Sequence, residues 1–298
     1  MKTIRFRLAA LSLLLVAVSI RAQNPVAPRA GDFPFEAIAD ISYSGSSDIG
    51  EGTKPLGEIS TLNSRIAALR TTPIDKQSSW LLGGSWNRFD FSVPAGAPIP
   101  DKLSSLALKL GYNRQLDKQW SLRTEIDPGL YSDFKDINWD DFNAPIGVRL
   151  VYAASRELQW FIGLNIDLRS GTPVIGGPGL RWQFAPDWML LLIIPFPRIE
   201  YAVNQDVAIF AGASLRGGTF RVAQDFGRKH GRPELDNQDI DYRELSAGLG
   251  VRWQINPGVS LNAVAGYMFD RRFRFDDRNL LLNGDGAPQL QLALTGRF

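Results

Sequence analysis

Four sets of side chains in this 298-residue chain are of types that could do chemistry. The first is its one histidine, His230, in the run Gly227-Arg228-Lys229-His230-Gly231-Arg232. A lipid-acting serine hydrolase needs a histidine held between a serine and a third orienting group. A histidine in mid-loop flanked by bases reads instead as a solvated loop residue. The second set is acidic: Asp133, Asp136, Asp140 and Asp141, with Asn138 and Asn143 beside them. Clustered oxygens can bind a divalent cation or shape a pore mouth, but the EF-hand spacing and its turn glycine are missing. A hydrated external loop accounts for these acids more simply, and the interleaved Phe134, Trp139 and Phe142 suit a loop folded against a rim as well as a free one. The third set, Arg228, Lys229 and Arg232, could touch the phosphates of lipopolysaccharide, and solvation explains it equally well. No spacing of His, Asp and Glu suits zinc. No cofactor and no enzymatic reaction are expected from these residues.

The fourth set is the largest. Lys109, Arg123, Glu125, Asp127, Arg149, Asp167, Arg169, Arg181, Arg198, Glu200, Arg216, Glu244, Arg252 and Arg297 each fall on the polar side of an alternating segment. Rings of like charge bias ion selectivity in a pore. The same residues could instead form a closed network of Arg–Glu and Arg–Asp pairs filling a narrow barrel. Both readings stand on sequence alone.

Alternation is what positions these charges. Leu106, Leu108, Leu110 and Tyr112 oppose Ala107, Lys109 and Gly111, and Leu245 to Ile255 alternates with Glu244 to Gln254. Side chains of a strand point to opposite faces with period two. The last eleven residues repeat the pattern: Leu290, Leu292, Leu294 and Phe298 share one face, and Gln289, Gln291 and Arg297 share the other. Strands are expected near 35–46, 57–69, 78–92, 104–116, 119–132, 144–154, 158–169, 178–185, 188–194, 198–204, 207–222, 240–255, 259–273 and 288–298. That makes about fourteen, or about twelve if doubtful segments merge. The phase of Trp80 to Phe91 changes near Ser85, which suggests a bulge. Met189 to Ile194 is apolar on both faces, as a packed lumen wall or a covered strand would be, and Gly217-Gly218 interrupts its segment. No internal repeat exceeds the hairpin period.

A soluble sandwich also alternates. Connection lengths and aromatic placement separate the two. Tight turns near Leu116-Asp117-Lys118, Ser155-Arg156-Glu157, Ala185-Pro186-Asp187, Asn204-Gln205-Asp206 and Asn256-Pro257-Gly258 alternate with long polar loops over 132–143, 170–177, 225–239 and 276–287. Outer-membrane barrels have this asymmetry. Trp120, Trp160, Trp182 and Trp188 lie beside the tight turns, and Tyr131, Tyr267 and Phe269 lie toward the long loops, as in two interfacial girdles. Glycines beside the charges would leave room for long lumenal side chains.

The amino terminus reads as an export signal. Lys2, Arg5 and Arg7 precede the apolar stretch Leu8 to Ile20, with a cleavage site at Ile20-Arg21-Ala22. Cleavage turns the formal charge of +2 into about −2, so the basic pI gives no reason to expect nucleic acid. With no Cys, disulfides, thiolate metal sites and lipoprotein anchoring are excluded. Outside the leader no apolar run could form a transmembrane helix. The expected organisation is a signal peptide over 1–22, an extended lead-in over 23–33 that is too short for a plug domain or a periplasmic binding module, and one barrel over 34–298.

With these residues in view, the chain resembles uncharacterised outer-membrane β-barrel proteins of Gram-negative bacteria, a family of unknown function. Ile194-Pro195-Phe196-Pro197-Arg198-Ile199-Glu200-Tyr201 and Phe210-Ala211-Gly212-Ala213-Ser214 carry the family-specific part. The resemblance implies an all-β, up-and-down antiparallel transmembrane barrel in the outer membrane, with lipid and lipopolysaccharide around it. It also implies that the assembly machinery reads the final strand through Leu290, Leu292, Leu294 and Phe298. The expected function is a passive channel or transporter for small solutes, in a monomer. The alternative is a structural or adhesive barrel with a plugged lumen, and a lipid-modifying enzyme ranks last.

Overall fold

The computed structural model describes residues 33–298. The expected leader and all but the last residue of the lead-in lie outside them. Among the described residues no helix is long and apolar enough to cross a membrane, and the longest helical turn is Phe226–Lys229. One antiparallel sheet closes on itself as a barrel of fourteen strands. These are β1 (Phe35–Glu51), β2 (Lys54–Pro73), β3 (Ser78–Ser92), β4 (Lys102–Gln115) and β5, which runs Trp120–Ile126 and resumes as Gly129–Ser132. They continue as β6 (Ile146–Ala153), β7 (Leu158–Ile166), β8 (Val174–Ala185), β9 (Trp188–Leu192) and β10 (Arg198–Ala202). The last four are β11 (Val207–Arg221), β12 (Asp239–Asn256), β13 (Val259–Phe275) and β14 (Ala287–Arg297). Closure comes from β14, which pairs with β13 on one side and with β1 on the other, from Glu36↔Arg297 to Ser44↔Gln289. With no free edge there, the backbone is satisfied within the wall.

Four of the tight turns have a common local cause. A short polar side chain accepts the backbone N–H groups two and three residues on, which closes the turn without a glycine. Asp117 accepts from Gln119 and Trp120 at 2.7 Å each. Asn204 accepts from Asp206 and Val207 at 2.9 Å each, and Asp75 and Ser155 do the same in their turns. Rings pair across strands beside these turns: Trp80 with Tyr112, Trp120 with Tyr152, and Trp188 with Tyr201, with centroids 5.2, 4.8 and 4.9 Å apart. Above this girdle the outside is apolar and bare, with Leu108 60%, Leu249 71% and Leu290 63% exposed. Such a surface is stable in lipid and a liability in water.

The wall is not of even height. At the long-loop end Ser132 of β5 pairs directly with Arg221 of β11, and Asp133 N donates to Arg221 O at 3.0 Å. β6 to β10 are bypassed there, so a narrower ring of β1–β5 and β11–β14 stands on the wide base. The segment Leu280–Gly284 completes that ring between β13 and β1. Its inside is packed solid with apolar side chains, among them Ile49, Ile59, Phe89, Phe91, Phe220, Tyr242, Phe273 and Leu282. Phe226 and Leu235, from the connection after β11, seal the end.

This packing corrects three expectations. No bulge occurs near Ser85, since β3 keeps unbroken register with β2 and β4. The apparent phase change arises because Leu81, Phe89 and Phe91 face inward and are buried while Trp80 and Leu82 face outward, so both faces are apolar. Gly217 does not interrupt β11, whose pairing with β12 runs from Val207 to Arg221. It has φ +132°, and a Cβ there would lie 1.9 Å from Tyr242 O, so only glycine fits the close approach. Met189 to Ile194 is not one strand: β9 ends at Leu192, and Ile193 to Pro197 turn in against the lumen.

Candidate functional site: the lumen

Beneath the packed ring the wide base encloses a cavity of about 910 Å³, lined by residues from across the wall from β1 to β14. Its size matches spaces that hold small molecules. Most of its charges are paired across or along the wall. Arg216 of β11 reaches over to β1 and β2, 3.1 Å from Asp40, 2.5 Å from Ser42 Oγ and 2.9 Å from Asn63 Oδ1. Lys109 pairs with Asp127, and Arg123 with Glu125. Glu200, only 3% exposed at its side chain, takes Arg198 at 2.9 Å and Arg252 at 3.3 Å. Arg198 also lies over the Phe210 ring at 5.5 Å. The remaining cavity carboxylates are held by uncharged donors. Asp167 accepts from Asn143 at 3.0 Å, and Asp241 accepts from Ser170 at 2.9 Å and Thr219 at 2.6 Å.

Three cavity arginines, Arg65, Arg149 and Arg243, make no ion pair with any described residue. Arg149 stands in a row with Gly163 and Gly177, where an added Cβ would meet nothing within 4 Å. Glycine leaves open space in front of that guanidinium. The lumen is thus neither a ring of one sign nor a fully closed network: paired struts carry most of the charge, and unpaired cations remain.

Not every expected lumenal group stands in the cavity. Arg169 lies beyond β7, which ends at Ile166, because the chain turns back through Ser170 N to Asp167 O at 3.2 Å. Its guanidinium bonds Asp239 and, at 3.0 Å, Phe142 O, so it ties connections together instead of facing the lumen. Glu244 sits in the packed ring with the fully buried Arg271, 3.7 Å away. Arg297 pairs with Glu36 at 2.8 Å on the barrel rim. Arg181 lies on the face opposite the exposed Trp182, outside the cavity lining, and has no ion pair among the described residues. Glu200 and its partner Arg252 also lie outside the cavity lining, and reach it only through Arg198, which pairs with Glu200. Asp40, Arg65, Asp241 and Arg243 were not singled out from the sequence. For Asp40 and Arg65 the signal was there, since they alternate with the exposed Ile41 and Ile66.

The loop candidates are spent on structure. His230 Nδ1–H donates to Phe226 O at 2.7 Å and the ring packs on Phe226. Asp133 accepts from Ala223 N, Asp141 from Asn138 N, and Asp140 from Asn237, so these acids diverge. Among the described residues no group of His, Cys, Asp and Glu is placed to hold a metal ion. Arg228, Lys229 and Arg232 pair with Asp236, Asp225 and Glu51.

Fold and lumen together define a transmembrane β-barrel with a partly filled interior. The chain belongs to the family described as a domain of unknown function, DUF6268, whose model matches residues 71–290. No curated protein matches it in sequence. Among solved structures it is similar to the COG4313 outer membrane channel from Pseudomonas putida F1, at 8% identity and TM-score 0.49, covering 93% of this chain and 100% of that one. It is also similar to a Pseudomonas aeruginosa FadL homologue, at 11% identity and TM-score 0.47, covering 90% and 91%. The fold is defined by the chain's own strand pairing.

Proposed function

We propose that this protein is an outer-membrane channel that passes small solutes passively through its lumen. The carrying observation is the cavity of about 910 Å³ inside a closed barrel, walled by charged struts and unpaired arginines. The lipid-suited exterior and the aromatic pairs at the turn end support residence in the outer membrane of a Gram-negative bacterium, surrounded by lipid and lipopolysaccharide. An export leader over 1–22 and recognition of the final strand by the assembly machinery belong to the same reading, as does a monomeric, non-enzymatic protein. The test is entry of small solutes into proteoliposomes, with conductance of the refolded protein in planar bilayers measured beside it. Solute entry is expected, and Arg149→Glu should slow anionic solutes relative to neutral ones of the same size. Silence in bilayers, together with exclusion of solutes in liposome swelling, would sink the reading.

A second reading has one observation in its favour. The apolar core of the narrow ring closes the barrel axis, as in a structural barrel with a plugged lumen. It gives the same silent bilayers but requires that replacing the connection over 224–236 abolish a surface phenotype.

A further inference from the structure

We infer that the cavity leaves this barrel sideways, through an opening in the wall between β8 and β11, and that this opening suits small solutes with an apolar body and an anionic group. The inference rests on the channel reading and names its route and its substrate class.

The opening follows from strand lengths and pairing. A strand needs about 9–11 residues to cross a bilayer. β9 and β10 have 5 residues each. The pairing of β8 with β9 stops at Leu180↔Leu192, so the edge of β8 from Val174 to Gly179 has no strand beside it. On the other side β10 pairs with β11 only as far as Arg198↔Gly212. Ala213 and Leu215 of β11 then donate to Pro197 O and Pro195 O, at 2.9 and 3.0 Å, and the next stretch of β11 faces no strand on that side. A gap therefore lies between the two edges. The turn Ile193 to Pro197 forms its sill. Its lintel is the connection after β7, pinned where Ser170 bonds Asp241. The gap stands at lipid depth, since Ile162 and Val174 beside it and Leu245 beyond it are exposed apolar residues outside the cavity lining.

The cavity lining shows that the cavity reaches this gap. Residues paired directly across strands share a face. Arg216 pairs with Glu244 and points inward, whereas Leu215, Gly217 and Thr219 pair with Leu245, Arg243 and Asp241 on the outer face. The same cavity is lined by Arg216 and also by Leu215, Gly217, Thr219 and Arg243. The cavity is thus lined at both edges of the gap, by Gly176 to Gly179 on β8 and by Ala213 to Thr219 on β11. Backbone edges left open at membrane depth are tolerated only where they line a cavity, and this arrangement satisfies that condition.

The chemistry of the passage is two-sided. Ile194 and Phe196 present exposed apolar surface on the sill. Arg243 stands unpaired on the outer face at the gap, and Arg149 stands unpaired within. An apolar body can slide over the sill while an anionic group passes between cations. With the axis closed by the packed ring, the side is the route the wall leaves open.

The chain contains no Cys, so single thiols can be placed at will. The experiment measures entry of a fluorescent naphthyl carboxylate into vesicles with a lipopolysaccharide outer leaflet, using Ala213→Cys and Leu215→Cys before and after reaction with a bulky maleimide. Leu106→Cys, on the outer face away from the gap, is the control. Labelling at 213 and 215 is expected to slow entry several-fold, and labelling at 106 to leave it unchanged. Arg243→Gln should weaken half-saturation for the carboxylate and not for its neutral amide. If the protein conducts ions in bilayers and carboxylate entry ignores both labels, the side route is overturned and the channel reading survives. If the unmodified protein passes neither ions nor carboxylate, the channel reading itself falls.

Discussion

At the scale of single residues, the charges of this barrel do two different jobs, and burial decides which. Arg271 is fully buried in the packed ring, donates to Ile59 O at 2.8 Å and faces Glu244, which also accepts from Tyr242 OH. Two of its guanidinium nitrogens, Nε and Nη2, have no hydrogen-bond partner, so the glutamate charge is its main compensation. Glu244→Ala strands a cation in an apolar core and should cost about 3–5 kcal/mol. Arg297 pairs with Glu36 on the rim, with its side chain 56% exposed. Arg297→Ala should cost about 0–1 kcal/mol, because solvent screens such pairs. The check is the urea midpoint of the folded-to-unfolded gel shift in detergent. Equal shifts for the two variants would mean that the ring is wet, not packed. Sequence marked both residues of the contrast, Glu244 and Arg297, as inward-facing. It could not rank them, because alternation gives a face and says nothing about what stands opposite across the lumen.

At the scale of elements, the strands were legible because lipid imposes a strict apolar rhythm on the outer face. The fourteen expected segments match the observed strands to within about five residues at either end, and the ninth and tenth, expected over 188–194 and 198–204, are shorter still, at Trp188–Leu192 and Arg198–Ala202. The rhythm fails to inform where the inner face is apolar too. Phe89 and Phe91 belong to the ring core, and their inward aromatic side chains mimicked a bulge. Loops carry no rhythm, so their docking was illegible. The connection after β5 is one such element. Its Asp133 carboxylate accepts from Ala223 N and Lys135 N, both at 3.1 Å, and fastens this connection to the one after β11. Burial is the largest influence on this carboxyl and pushes its pKa above the ordinary value of 3.8, against those two hydrogen bonds. A carboxyl whose pKa is higher when docked binds its proton more tightly there, so docking is favoured below 3.8 and weakens as pH rises through the docked pKa. Amide exchange at Lys135 and Ala223 should therefore be slower near pH 4 than at pH 7, after correction for intrinsic rates. Asp133→Asn should flatten that dependence. A dependence that persists in the variant would assign it to another group, with Asp141 next in line because burial raises its pKa as well.

At the scale of the molecule, the barrel is two rings of different girth, and the question is which part keeps the axis shut. The connection between β11 and β12 looks like a lid, since Phe226 and Leu235 plug the end and Arg232 pairs with Glu51 at the tip of the first hairpin. The bulk of the seal lies beneath it and belongs to the wall. Phe89 meets Tyr242 at 4.9 Å between centroids, Phe91 meets Phe273 at 5.0 Å, and Tyr242 meets Phe273 at 4.7 Å. These four rings come from β3, β12 and β13, which remain paired whether or not the lid is present. Replacing residues 224–236 with a short turn should lower stability by exposing apolar surface, at about 25 cal/mol per Å² uncovered. It should leave single-channel conductance near that of the intact protein. Shaving the wall should behave in the opposite way. Phe89→Ala with Phe91→Ala and Phe273→Ala removes the rings that span the narrow bore, and should produce a second, larger conductance along the axis in variants that still fold. Single-channel recordings of the two variants side by side decide the point. A large conductance from the lid deletion alone would place the seal in the loop and make the narrow ring an open pore beneath a removable cover.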